Sequence, residues 1–190
     1  MLTGEPPVLL SQKQKKEKRE MKKMQILMLA AVMFSLNGFL SAGEKLDIKG
    51  SFGSELTGWH ANKPGHWDDA GKVSMNKIPD TEKYALQVTS ESKGMHLYGK
   101  QWPIATEDKC VIKGMVKGKG KGGFGVYTYP GGGMVSKEFQ ATEEWTEFIA
   151  EVTMHKAKPE IDKICIVISV SPGSSIEFSD VTAEIVKKQE

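Results

Sequence analysis

Residues 109–129 read KCVIKGMVKGKGKGGFGVYTY. The first third alternates, with Cys110, Ile112 and Val116 on one face and Lys113 and Lys117 on the other. That is the two-residue period of a half-buried strand. The last third alternates again, with Phe124, Val126 and Thr128 against Tyr127 and Tyr129. Between them Gly118–Gly123, GKGKGG, reads as a flexible turn. Two strands meeting at a glycine-rich turn set the terms for the rest of the chain.

Downstream, Pro130–Gly133 is a second turn and Met134–Phe139 a strand. Trp145–Met154 sets Phe148, Ala150, Val152 and Met154 against Glu147, Glu151 and Thr153. Ile161–Val170 is apolar on both faces, as a central strand covered on both sides would be. In Ser175–Val186, Ile176 and Phe178 share one phase and Val181, Ala183 and Ile185 the other, which predicts a bulge near Ser179–Asp180. Upstream, Met95–Trp102 is a strand ended by Pro103. Lys83–Thr89 alternates, Lys72–Met75 is short, and Leu46–Phe52 opens the series. Gly53–Asp69 is a long irregular connection. Roughly nine to eleven short strands without a helical period argue an all-β fold, a two-sheet antiparallel β-sandwich.

The start of the chain obeys different rules. Met21-Lys22-Lys23 precedes the apolar run Ile26–Leu36, followed by Gly38 and the small residues Ser41-Ala42-Gly43. A basic segment, a short apolar segment and small residues make a secretory signal helix over 21–43, with cleavage after Ala42 or Gly43. The run is shorter than the ~20 apolar residues a membrane span needs. Residues 1–20 lie ahead of a complete signal, so they read as an upstream extension or a long basic leader. The β-sandwich domain is then 44–190, and the protein is expected to be secreted or periplasmic, touching membrane only through the signal segment during export.

Residues 1–42 hold seven Lys/Arg and three Asp/Glu, which leaves 19 basic and 21 acidic residues beyond them. The basic balance therefore belongs to the leader. The single Arg of the chain is Arg19, and arginine is the usual fork for phosphate and base edges, so nucleic acid is a poor partner. Cys110 and Cys165 each sit in an apolar strand-like run. Export permits a bridge between them, and burial as free thiols is the alternative. Zinc or redox chemistry needs close cysteine spacing, which is missing.

Five segments, in order, resemble CenC-type carbohydrate-binding modules: GSFGSELTGW at 50–59, YALQV at 84–88, the stretch at 109–129, FQATEEWTEF at 139–148 and SIEFSDVTAEIV at 175–186. The resemblance implies a galactose-binding-like jelly roll that binds poly- or oligosaccharide without catalysis. It also implies a structural calcium held by an early acidic residue and a closing pair of aspartates. Gly53 and Ser179 stand at two of those places, so Asp180 is the one matching metal ligand, with Glu55 or backbone carbonyls as substitutes.

Sugars present faces of C–H groups and a rim of hydroxyls, so a binder needs exposed rings beside amides, carboxylates or imidazoles. The candidate rings are Trp59, Trp67, Trp102, Tyr98, Tyr127 and Tyr129. Trp59 matches the position that supports the fold, and Trp145 reads as packing. Two placements stay open. One is a cleft with Tyr127, Tyr129 and Lys113 on the open face of a sheet. The other is a loop edge with His60, His66 and Trp67. The ligand-binding set is thus Trp67, His66, His60, Tyr127, Tyr129 and Trp102. His60, His66, Asp68 and Asp69 have no established metal spacing. No nucleophile elbow, HExxH or dinucleotide loop appears, which argues against an enzyme. The rival reading is a cell-envelope structural protein that uses the same sandwich to bind a protein partner.

Overall fold

Among the described residues, ten strands form two antiparallel sheets that share one strand. In chain order they are β1 (Glu44–Leu46), β2 (His60–Ala61), β3 (Lys72–Lys77), β4 (Tyr84–Thr89), β5 (Met95–Pro103), β6 (Lys109–Tyr129), β7 (Gly133–Ala141), β8 (Thr146–Thr153), β9 (Lys163–Val170) and β10 (Ser175–Val186). The computed structural model describes residues 43–61, 71–130, 132–155 and 160–188. No helix occurs among these described residues. The leader expectations over 1–42 fall outside them.

The first sheet runs β3–β4–β10–β6–β8, with β1 beside the C-terminal half of β10. The second runs β2–β5–β9–β6–β7. Strand β6 belongs to both. Its residues 109–119 pair with β10 and β8, and its residues 120–129 pair with β7 and β9.

This corrects the turn expected at Gly118–Gly123, which is continuous strand. Glycine there makes room instead of reversing the chain. Gly118 has φ 140° and Gly120 φ 99°, a region that side-chain-bearing residues rarely adopt. A Cβ on Gly118 would lie 2.3 Å from Ser175 O, and one on Gly120 2.2 Å from Ser174 Oγ. The strand bends from one sheet into the other at the only residue type that fits both the dihedral and the gap.

Alternation then places the core between the sheets. The first sheet contributes Leu86, Val88, Ile112, Ile176 and Phe178, and the second Leu97, Phe124, Val126, Ile166 and Ile168, all buried. Phe124 joins the layers, with its ring centroid 5.8 Å from Phe178 and 5.9 Å from Phe148. Phe139 and Phe148, 4.8 Å apart, fill the side where β7 and β8 run as edges. Each such ring removed from water contributes about 1.5–3 kcal/mol.

Strand β9 is buried on both faces from Ile164 to Ile168, as its apolar run implies. The bulge in β10 lies between Ser179 and Thr182. Two boundaries differ from expectation. The opening strand covers Glu44–Leu46, with Ile48 and Phe52 buried in the irregular segment after it. The irregular connection holds a short strand, His60–Ala61, which pairs with β5. Cys110 and Cys165 are both free and buried. One sits in the first-sheet half of β6 and the other in β9 of the second sheet.

Candidate functional site

Side chains directly opposite one another on paired strands share a face, so the registers map the outer surface of the second sheet. One row runs His60, Tyr98, Val167, Gly125, Ser136 across β2, β5, β9, β6 and β7. On one side of it lies His96, Ser169, Gly123, Glu138. On the other lies Gln101, Cys165, Tyr127, Met134, then Lys163 and Tyr129. Neighbouring strands are about 4.8 Å apart and same-face steps along a strand about 7 Å.

Four rings of this surface touch in sequence. His60 stacks on Tyr98, with centroids 5.8 Å apart and planes at 28°. Tyr98 meets Tyr127 edge-on at 6.0 Å, and Tyr127 meets Tyr129 at 5.1 Å. His96 adds a contact to Tyr98 at 6.2 Å. The floor beneath is small and apolar. Val167 and Cys165 are 0% and 1% exposed although they point outward. Tyr129 Oη lies 4.0 Å from Cys165 Sγ. Burial, and then the Cys165 beside it, pushes the Tyr129 phenol above its ordinary range, while burial raises the Cys165 thiol. Both groups therefore stay protonated at neutral pH, and the phenol keeps its hydrogen-bond donor.

The two placements left open by the sequence thus partly merge, since His60 joins Tyr127 and Tyr129 through Tyr98. His66, Trp67, Asp68 and Asp69 lie outside the described residues. Lys113 is corrected: it pairs with Ile149 and Thr182, so it faces outward from the first sheet. It shares strand phase with Tyr127, but β6 has changed sheets between them. Trp102 also sits elsewhere. A register shift between Tyr98 and Gln101 sets Trp102 opposite Ile164, on the inner face. There it packs half-buried against the core, and its indole N–H is buried with no acceptor among the described residues. Lys100 Nζ lies 5.0 Å from its ring centroid. Trp59 is buried beside Phe52 and donates from Nε1 to Lys49 O at 3.4 Å. Trp145 is half-buried just before β8 of the first sheet, 5.9 Å from Lys117 Nζ.

Sequence reading missed His96, Ser136, Glu138, Ser169 and the 42%-exposed Met134 as members of this surface. Their alternation on β5, β7 and β9 was visible, but which face met which strand required the pairing order. Together they supply an imidazole, a carboxylate and hydroxyls around the rings, a set able to stack on C–H faces and bond a hydroxyl rim.

The calcium that the resemblance implies would rest on Asp180. Its two carboxylate oxygens accept from Lys83 Nζ at 3.1 and 3.0 Å. Among the described residues no three His, Cys, Asp or Glu side chains converge as a metal site. The residues present do not fit a calcium ion, which takes six to eight oxygens.

No family model matches the sequence, and no curated protein matches it. Solved structures do. The CBM22-1 xylan-binding domain of Paenibacillus barcinonensis Xyn10C superposes with a TM-score of 0.53 at 17% identity, over 78% of this chain and 98% of that one. The enzymatically active domain of tailspike protein 4 of bacteriophage CBA120 gives 0.54 at 11% identity over 76% of this chain. The arabinose-bound α-L-arabinofuranosidase MgGH51 gives 0.54 at 15% over 78%. This chain spans only 21% and 27% of those last two proteins. At such identities the likeness is one of fold: the chain is a two-sheet β-sandwich of the architecture found in carbohydrate-binding modules.

Proposed function

We propose that this chain is an exported, non-catalytic protein that binds a poly- or oligosaccharide on the outer face of its second sheet. The observation that carries the reading is the ring series His60–Tyr98–Tyr127–Tyr129, held side by side on a sheet surface with polar groups around it. Aromatic rings set side by side on an outer sheet face offer a pyranose ring a stacking partner. The fold is shared with a xylan-binding domain, which makes xylan the first polymer to try.

The test is a glycan array and an insoluble-polysaccharide pull-down with the full-length chain. Saturable binding is expected, and Tyr98→Ala or Tyr127→Ala should weaken it by about two- to tenfold, the worth of one aromatic contact of about 0.5–1.5 kcal/mol. Trp67→Ala decides whether residues 62–70 contribute. A folded sample that binds no plant, algal, bacterial or animal glycan would sink the proposal. Export is checked separately, by N-terminal sequencing for cleavage after Ala42 or Gly43.

A further inference from the structure

The expected calcium fails on chemistry, and the failure points to what takes the place of the ion. The early segment and the closing bulge of β10 do meet. Val181 N–H donates to Gly50 O at 3.0 Å. A Cβ on Gly50 would lie 1.9 Å from Val181 O, so the two backbones touch only because residue 50 has no side chain. Two of the three carboxylates that the resemblance implies are missing here. Gly53 offers no side chain, and the Ser179 beside Asp180 is only 3% exposed. Asp180, held in the left-handed region at φ 50°, supplies the carboxylate of the bulge, and an ammonium already occupies both its oxygens.

The backbone that carries this ammonium is held in a closed turn. Lys83 closes the β3–β4 turn: Ile78 N–H donates to Lys83 O at 2.9 Å, and Lys83 N–H donates to Thr81 Oγ1 at 3.1 Å. Thr81 Oγ1 donates in turn to Ile78 O at 2.9 Å. A dication brought to Asp180 would face the positive charge that Lys83 places on both carboxylate oxygens. We propose that Lys83 stands in for the structural calcium. Its ammonium neutralises Asp180 and ties the β10 bulge to the β3–β4 turn, so the domain holds its fold without a metal ion.

Thermal unfolding of the full-length chain in excess EDTA and in millimolar calcium chloride tests this, with terbium luminescence as a second readout. Equal Tm values in the two buffers and no terbium signal are expected. Lys83→Met should lower Tm by about 1–4 °C in both buffers, the size expected for a partly exposed ion pair. It should have no further effect in an Asp180→Asn background, and the deficit should shrink at high salt. A calcium-dependent rise in the wild-type Tm, with terbium luminescence lost in Asp180→Asn, overturns the proposal. So does a Lys83→Met protein that melts with the wild type at low salt.

Discussion

Asp108 shows how much one side chain can hold without any sign in its sequence neighbourhood. It is 3% exposed at the entrance to β6. It accepts from the N–H groups of Ala105 and Lys188 at 3.0 and 3.1 Å, and from Lys187 Nζ at 3.0 Å. Burial alone would push its carboxyl up, but the Lys187 contact and the two amides outweigh it, and the net shift is downward. A carboxyl with a depressed folded pKa gives stability that is complete above the unfolded value, 3.8, and is lost as pH falls through the lower folded one. Asp108→Ala should cost about 2–3 kcal/mol by urea melts at neutral pH, and Asp108→Asn should flatten the acid limb of stability below about pH 5. Cys110 works in the opposite direction. Burial, then the Glu184 charge, pushes its thiol up to about 12. Its stabilisation is complete below the ordinary 9.0 and should fall away between that value and about 12. Native protein at pH 8 should leave Cys110 unlabelled by a thiol reagent until denaturant is added. In sequence, Asp108 reads as a polar loop residue, because its lysine partners lie 79 and 80 positions away.

At the scale of the element, alternation was legible and continuity was not. The strands at β4, β8 and β10, and the β10 bulge, follow from period and phase, and β9 from its unbroken apolar run. The run at 118–123 misled because glycine punctuates chains by default. Phase held the correction: Cys110, Ile112, Val116, Phe124 and Val126 are all even-numbered and all buried, so no residue is gained or lost across the glycines. A turn has no reason to preserve that parity, and one unbroken strand must. Gly118→Ala should therefore destabilise by about 2–3 kcal/mol in chemical denaturation. It meets both an unfavourable φ and the Ser175 carbonyl. Trp102 shows the converse, since a register shift after Tyr98 turned a ring read as outward onto the core.

For the whole molecule, the sandwich was readable from strand count and turn chemistry, whereas the composition of its aromatic face was not. That face draws on five strands whose order is β2–β5–β9–β6–β7, and pairing order over long separations leaves no local trace. A bound oligosaccharide should raise the melting temperature by about 5–10 °C at a hundredfold excess over Kd. Trp145→Ala, just before β8 of the first sheet, should leave glycan affinity unchanged while Tyr127→Ala lowers it.

The shared strand also decides how the molecule bears force. In a sandwich whose layers meet only through side chains, tension on one layer is resisted by packing, which yields to sliding. Here β6 is gripped by β7 and β9 at one end and by β8 and β10 at the other. A pull on Tyr127 passes through peptide bonds into the opposite layer, and the layers cannot slip past each other without unzipping both ladders of that strand. A protein tethered to a long polymer would carry its load along a covalent spine.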